Sequence, residues 1–176
     1  KNEILDWIKS IVIALLLGFA ITTFIGSTSV YGNSMNPTLS HGDFLILYNS
    51  SNVERGDIVI LQTDIEIDSQ ELSRLNRIER WRAGKYKKLV KRVIATEGDS
   101  LIIQDGKVIL NGQELNEDYI NGNSTPGNVS IEKIPEGKVF VMGDNRGNSL
   151  DSRSSEIGLV DKEDIIGKAI LRLYPL

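Results

Sequence analysis

The feature that most constrains this chain is a long uncharged segment near its N-terminal end. No charged residue occurs from Ser10 to Tyr31, and the part from Ile11 to Ile25 is almost entirely apolar. A helix of this length is about 33 Å long, because each residue adds about 1.5 Å. The hydrocarbon core of a bilayer is about 30 Å thick, so the segment predicts one membrane-spanning helix. Residues 1–31 are therefore expected to form an N-terminal cytoplasmic tip and transmembrane anchor.

A cleaved signal peptide is the competing interpretation of this segment. The positive charge of Lys1 and Lys9 ahead of the run is offset by Glu3 and Asp6. The run is also longer than the apolar core of about 7–15 residues that signal peptides carry, which favours the anchor. No Lys or Arg follows the span until Arg55. This favours an N-terminus inside the cell and a body outside it.

The composition excludes several kinds of chemistry. The 176-residue chain has no cysteine and one histidine, His41. It therefore predicts no disulfide, no thiolate nucleophile and no metal site built from several histidines. A net charge of -4 gives no argument for nucleic-acid binding. We expect no metal, no cofactor and no nucleic-acid partner.

Short apolar runs separated by turn residues predict a mainly β body over residues 32–176. Asp105-Gly106 is a strong two-residue hairpin signal, and Asn111-Gly112 marks a further turn. Residues 116–136 are rich in Asn, Gly, Pro and Ser and predict a loop region. The expected architecture is an antiparallel, barrel-like sheet, with residues 100–140 as a small cap or hairpin subregion. The strand candidates are Phe44–Leu47, Ile58–Leu61, Leu89–Ala95, Leu101–Gln104, Lys107–Leu110 and Lys138–Met142.

One stretch of the body has a different pattern. Between Ile67 and Tyr86, apolar residues recur every three positions, which indicates a helix; they are Leu72, Leu75, Ile78 and Trp81. Residues 74–92 carry nine basic residues and one acidic residue, a net charge of +8. Two interpretations stay open. The segment is a solvated helical insertion, or it is a patch that contacts anionic lipid headgroups.

Two residues could activate a serine that follows the apolar segment. Ser34 lies between the flexible Gly32 and a turn-forming Asn36-Pro37. A serine hydroxyl needs a base to become nucleophilic. His41 is close in sequence but lacks a well-placed acid, so a surface-loop histidine is the simpler interpretation. Lys91 is the alternative base, provided that burial lowers its pKa.

Strand alternation places Lys91 on an apolar face. Leu89, Lys91 and Val93 share one side of a predicted strand. An edge-strand lysine that discourages aggregation gives the same pattern. A further cluster, Gly143–Arg153, is dense in turn residues and hydroxyls, and its Asp151 and Arg153 could form an ion pair.

Four segments, taken together and in this order, resemble the boxes of type I signal peptidases. The first follows an apolar segment, as in that family, and the resemblance spans nearly the whole chain. The boxes are Ser34–Thr38, Arg55–Val59, Lys91–Val93 followed by Gly98-Asp99, and Gly143–Arg153. The resemblance implies a serine endopeptidase, single-pass in the plasma membrane. Its substrates would be exported preproteins, cleaved after small residues at the −1 and −3 positions.

The resemblance also implies a role for each site residue. Ser34 would be the nucleophile, with its backbone N–H in the oxyanion hole, and Lys91 would be the general base. Ser149 would hydrogen-bond to the lysine amine. Asp151 and Arg153 would form a supporting ion pair, with Asp144 in the same box.

The chain departs from the family pattern at several places, two of them close in sequence to the implied site residues. Ala95-Thr-Glu-Gly-Asp99 replaces a common Gly-Leu-Pro-Gly-Asp, and Gly32 stands where some members place an oxyanion-donating serine. Two rival interpretations stay open. One is a self-cleaving Ser/Lys protease of similar fold, although such proteins carry a DNA-binding segment and no anchor. The other is a non-catalytic, membrane-tethered β-domain that binds peptides or lipids.

Overall fold

The first element of the structure is a single apolar helix, α1, which spans Glu3–Phe24. The computed structural model describes residues 3–174 except 75, 76, 78, 79, 81, 82, 121 and 123. The helix is 22 residues long and none of its most apolar window is buried, so it could cross a membrane. It begins and ends seven residues earlier than the Ser10–Tyr31 run that predicted it. The predicted span was wrong at its C-terminal end because residues 25–29 pair as a strand instead.

Eleven β-strands follow α1 in the part of the chain that the structure describes. Every strand pair is antiparallel. The predicted mainly β fold with one N-terminal apolar helix is therefore confirmed. The strands are β1 Ile25–Ser29, β2 Phe44–Tyr48, β3 Ile58–Glu66, β4 Tyr86–Thr96, β5 Leu101–Gln104, β6 Lys107–Leu110, β7 Gln113–Glu114, β8 Val129–Ile131, β9 Lys138–Met142, β10 Val160–Asp161 and β11 Ile165–Tyr174.

Seven of these strands form the larger sheet, in the order β1-β2-β11-β3-β4-β9-β10. The C-terminal strand β11 therefore lies between β2 and β3, which places β4 and β9 on the far side of β3. A short 3-10 helix, Lys162–Asp164, leads into β11. At the other end of the sheet, Asn49 ties the strands to α1. Its backbone N–H donates to the carbonyl of Phe24 at 2.9 Å, and its side-chain amide donates to the carbonyl of Thr23 at 3.1 Å.

The smaller sheet has the order β7-β6-β5-β8 and lies within residues 101–131. Asp105 and Gly106 join β5 to β6 with φ of 52° and 80°, the left-handed conformation that a tight hairpin turn needs. Asn111 and Gly112 repeat this conformation before β7. Both predicted turns are confirmed. The predicted loop at residues 116–136 contains one strand, β8.

The basic segment is the tip of the β3–β4 hairpin. A short helix, α2, spans Ser69–Arg74, and residues 77, 80 and 83 are also helical. The predicted helical character is therefore observed where the segment is described. Three of the four residues that carried the pattern, Leu75, Ile78 and Trp81, lie outside the described residues. The basic residues from Tyr86 onward belong to β4 instead.

Three apolar clusters hold the strands together. One of them covers the face of β2 and β3 beneath the loop that carries Ser34, and both Met35 and Leu39 insert into it. A second packs β3, β4 and β9 through residues such as Val59 and Val93. The third joins the smaller sheet to the larger one. The first two clusters meet at β3 and β4, so the Ser34 loop and the middle of β4 are held by adjoining parts of the core.

Candidate active site

Ser34 lies in the loop between β1 and β2, and its backbone is fixed from two sides. The adjacent Met35 is buried, 1% exposed, which turns the Ser34 side chain away from the core. The backbone N–H of Asn145 donates to the Ser34 carbonyl at 2.9 Å, and the Asn145 side-chain amide donates to the Asn33 carbonyl at 3.0 Å. The loop is thereby attached to the segment that follows β9.

Lys91 lies in the middle of β4, opposite Val59 of β3. Its side chain is 2% exposed, and its Nζ lies 2.7 Å from Ser34 Oγ. Burial lowers the pKa of Lys91 to about 8, although Asp151 and Asp144 act in the opposite direction. The hydroxyl–amine distance is within the range for proton transfer between a nucleophile and its base. A neutral lysine in this position could accept the serine proton.

Asp151 and Arg153 form a planar, bidentate ion pair next to this contact. Arg153 Nε and Nη2 each donate to one Asp151 oxygen at 2.8 Å. Asp151 also accepts the backbone N–H of Gly143 at 3.0 Å. Burial alone would raise the pKa of Asp151, but the Arg153 guanidinium and the Gly143 N–H outweigh it and lower the pKa. The carboxylate therefore stays ionised.

Asp144 connects the Ser34 loop to β4. It is completely buried and accepts two hydrogen bonds from Arg92, at 2.9 Å from Nε and 2.6 Å from Nη2. The Thr38 hydroxyl, four residues after Ser34, also donates to Asp144. Arg92 directly follows Lys91 in the strand. One carboxylate thus fixes the position of the nucleophile's loop relative to that of the base.

Ser149 does not make the hydrogen bond that the family resemblance implied. Its Oγ is buried and has no partner at full hydrogen-bond geometry among the described residues, although the hydroxyl helps to lower the pKa of Asp151. It packs against Gly143, where a Cβ would lie 2.3 Å from Ser149 Oγ and 2.4 Å from the Ser34 carbonyl oxygen. Gly143 is therefore the residue that allows Ser34 and Ser149 to approach each other.

Gly32 has a positive φ of 82°, and its backbone N–H donates to His41 Nδ1 at 3.1 Å. His41 is exposed and also makes an edge contact with the Tyr31 ring. It supports the loop before Ser34 and lies away from the base position. The Ser34 N–H donates to none of the described residues, so it is available for a developing oxyanion. We identify no second donor for this oxyanion in the described part of the chain.

The sequence analysis assigned no role to several residues that surround the Ser34–Lys91 contact. Arg92 and Thr38 were seen only as parts of boxes, because a hydrogen bond to Asp144 leaves no periodic signal. Glu117 and Tyr119 fell in a predicted loop region. Arg146 is almost completely buried, which a position within a turn-rich cluster did not indicate.

The described residues contain no group of three or more His, Cys, Asp or Glu side chains that could hold a metal ion. The chemistry that this arrangement can support is nucleophilic attack by a serine whose proton passes to a buried lysine. That arrangement, on a mainly antiparallel β body, is typical of a serine endopeptidase.

Comparison with known proteins gives the family. A model for "Signal peptidase, peptidase S26" matches residues 4–174. Signal peptidase I P of Bacillus subtilis subsp. natto is 35% identical over 192 residues, covering 100% of this chain and 92% of that protein. Signal peptidase IB of Staphylococcus aureus is 30% identical over 197 residues, covering 99% and 92%. A signal peptidase I structure from Enterococcus faecalis is 25% identical with a TM-score of 0.48, covering 66% of this chain and 96% of that chain.

This chain therefore belongs to the signal peptidase family, peptidase S26. The predicted family and activity, a serine endopeptidase that removes signal peptides, are confirmed. The family also decides against the self-cleaving and non-catalytic alternatives. The N-terminal apolar helix is compatible with attachment to a membrane.

The close approach at Gly143 gives the first testable prediction. Gly143→Ala should lower kcat/KM on a preprotein at least tenfold, because the new methyl group must displace the Ser34 carbonyl or Ser149. Gly147→Ala is the matched control. No atom lies within 4 Å of a Cβ at that position, so its activity should equal that of the parent. Equal activities for the two variants would contradict the packing described here.

The burial of the Lys91 amine predicts that this lysine lowers the stability of the fold. Lys91→Met should raise the free energy of unfolding at pH 7 by about 2–3 kcal/mol, because methionine removes the desolvation penalty behind the lowered pKa. Between about pH 8 and the ordinary value of 10.5, the native lysine is neutral while the unfolded lysine is still protonated. The unfolded state then binds more protons, so the parent gains stability as pH rises.

The advantage of the Lys91→Met variant should accordingly shrink through this pH window and vanish above it. Urea unfolding at several pH values measures the effect. Lys107→Met, at an exposed position in the smaller sheet, is the control and should show no such pH dependence. A Lys91→Met variant that is less stable than the parent at pH 7 would contradict the prediction.

Proposed function

We propose that Ser34 is the nucleophile of this signal peptidase and that Lys91 is its general base. The observation that carries the proposal is the 2.7 Å contact between Ser34 Oγ and the buried Lys91 Nζ. A pKa of about 8 for Lys91 leaves a useful fraction of the amine neutral near pH 7. The hydrogen bonds of Asn145 and Asp144 support the proposal, because they fix both partners before the substrate binds.

In the proposed reaction, Ser34 Oγ attacks the scissile carbonyl carbon and gives its proton to Lys91 Nζ. The tetrahedral intermediate collapses when the protonated lysine donates that proton to the leaving amine, which frees the mature protein. Lys91 then takes a proton from a water molecule, whose oxygen attacks the acyl-enzyme. The proton returns to Ser34 Oγ, and the signal peptide leaves as a carboxylic acid that loses its remaining proton to solvent. The Ser34 N–H would stabilise the oxyanion in both steps.

The substrate is proposed to bind as an extended strand beside β4. Strand β9 pairs with β4 only from Arg92 onward, so earlier residues have no described strand on that side. Val93 directs its N–H and C=O to the opposite side, where Asp57 and Gly56 are its partners. Because these groups alternate along a strand, those of Val90 face the open side, next to Lys91. A peptide that paired there would bring its scissile bond to Ser34.

The cleavage specificity and the location of the enzyme are further parts of the proposal. The substrates are exported preproteins with small residues at the −1 and −3 positions. The enzyme is single-pass in the plasma membrane, with residues 1–31 as tip and anchor and 32–176 as the extracytoplasmic catalytic domain. The absence of Lys and Arg between Lys9 and Arg55 supports this orientation.

The dyad is tested with three variants of the full chain in detergent, assayed on a preprotein. Ser34→Ala should lose activity by several orders of magnitude, and so should Lys91→Ala. Lys91→Arg should also be inactive, because arginine stays protonated and cannot accept the serine proton. Lys107→Ala is the matched lysine control and should retain full activity. The proposal fails if both alanine variants at the dyad still cleave the preprotein.

A second proposal concerns the basic tip of the β3–β4 hairpin, which we expect to bind anionic lipid. The tip, residues 74–85, carries five basic residues and one acidic residue, a net charge of +4, and the side chains of Arg77 and Arg80 are exposed. Each basic residue near an anionic bilayer contributes about 1 kcal/mol of binding free energy. The solvated, non-binding insertion is the alternative outcome of the test.

Lipid binding is measured by vesicle co-sedimentation with a form that begins at Ile25 and so lacks α1. Replacing Arg74, Arg77 and Arg80 with Gln should weaken binding to anionic vesicles roughly tenfold or more at low salt. The control replaces Lys107, Lys133 and Lys138 with Gln, which changes the net charge equally at other sites. If the two triple variants bind alike, or if the first binds as the parent does, the tip has no specific role.

A further inference from the structure

Two buried ion pairs lie on either side of the Gly143-Asp144 peptide. The first joins Arg92 to Asp144. The second joins Arg146 to Glu117, with Nη1 of the arginine 2.8 Å from Oε2 of the carboxylate. Arg146 also donates from Nε to the Gly143 carbonyl at 3.0 Å. Both arginines therefore act on adjacent residues of the segment that supports the dyad.

Tyr119 is the side chain that joins these two ion pairs. The face of its ring lies 4.1 Å from the guanidinium carbon of Arg92. Its hydroxyl donates to Glu117 Oε1 at 2.8 Å. Burial, together with the neighbouring Glu117 carboxylate, raises the pKa of the Tyr119 phenol, so the phenol keeps the proton that it donates. The contacts close a ring: Asp144, Arg92, Tyr119, Glu117, Arg146 and the Gly143 carbonyl.

The ring has consequences for the proposed base, because Asp144 is one of the charged groups that face Lys91. The others are Asp151 and Arg153. Asp151 is neutralised by its bidentate arginine independently of the ring. Asp144 depends on Arg92 for the same neutralisation, and one face of the Arg92 guanidinium is covered by the Tyr119 ring. If Arg92 loosened, the Asp144 carboxylate would act more strongly on the lysine amine and would favour its protonated form.

We infer that Tyr119 is a positioning residue of this enzyme: it holds Arg92 against Asp144, and the ion-paired carboxylate then does less to favour the protonated form of Lys91. It does not contact the reacting atoms. The inference rests on the proposed dyad and extends it to the loop between β7 and β8. A cation–π contact that is partly removed from water stabilises more than an exposed one, so the aromatic side chain of Tyr119 is a suitable support for the Arg92 guanidinium. The Tyr119 hydroxyl fixes that side chain through its hydrogen bond to Glu117.

The test measures kcat/KM on a preprotein as a function of pH for the full chain in detergent. Tyr119→Leu should lower kcat/KM at pH 7 roughly threefold, because a smaller fraction of Lys91 would be neutral at that pH. The midpoint of the rise of kcat/KM with pH should also move in the alkaline direction by about half a pH unit, because Arg92 would neutralise Asp144 less completely. Tyr119→Trp keeps an aromatic face over Arg92 and should restore the parent midpoint. Tyr48→Leu, at an exposed tyrosine of β2, should behave as the parent does.

The pH midpoint separates positioning from a merely structural role, since a loosened fold reduces the amount of active enzyme without moving the midpoint. An unchanged midpoint in folded Tyr119→Leu overturns the inference, and so does a failure of folded Tyr119→Trp to restore it. If the leucine variant does not fold, Tyr119→Met fills similar space without an aromatic face and gives the same readout. Ser34→Ala in the same assay tests the dyad separately. If Ser34→Ala is inactive and the midpoint of Tyr119→Leu is unchanged, the inference about Tyr119 fails while the proposed dyad stands.

Discussion

The rest of the site depends on one interaction, the contact between the buried Lys91 amine and the Ser34 hydroxyl. A lysine in water is protonated near neutral pH, and burial is what lowers its pKa to about 8 here. Two carboxylates, Asp151 and Asp144, act in the opposite direction but do not outweigh burial. Each is paired with its own arginine through two hydrogen bonds. The arginines therefore keep the carboxylates in place while reducing their effect on the lysine.

The same ion pairs set the geometry of the dyad. Ser34 and Lys91 are 57 residues apart, and neither β1 nor β2, the strands on either side of the Ser34 loop, pairs with β4. The segment after β9 connects them, since Asn145 fixes the Ser34 backbone while Asp144 fixes Thr38 and Arg92. A buried ion pair adds little to stability, and breaking one is strongly destabilising. These pairs are better understood as devices that fix a functional geometry than as sources of stability.

Local signals in the sequence predicted the parts of the fold that depend on neighbouring residues. The hairpin at Asp105-Gly106 follows from a conformational preference of two residues, and the strands around it were predicted at their observed bounds. Five strands were missed: β1, β7, β8, β10 and β11. The polar Gly-Ser-Thr-Ser run of β1 and the C-terminal segment of β11 become strands only through distant partners. The helix was placed seven residues too late for the same reason. Composition indicates an apolar run but not where its last turn gives way to a strand.

For the site, too, the sequence predicted what depends on neighbouring residues but not what depends on distant ones. Alternation along β4 placed Lys91 on an apolar face, but only the family resemblance paired it with Ser34. The contact of Tyr119 with Arg92 had no signal at all, since it joins a loop to a strand without any repeating pattern. Contacts between loops depend on the finished fold, so they can be found only once the strands are in place.

The direct connection between α1 and β1 limits how far Ser34 can lie from the end of the apolar helix. The cleavage site of a signal peptide lies directly after its apolar segment, and hence near the membrane surface. Ser34 is ten positions after Phe24, and a fully extended chain over that distance reaches at most about 35 Å. Strand β1 begins at Ile25 with no linker, and Asn49 of the sheet bonds to the last carbonyls of the helix. With α1 in a bilayer, the sheet would therefore lie at the membrane surface, and the peptide site that we propose beside β4 would receive a peptide that emerges from the same bilayer.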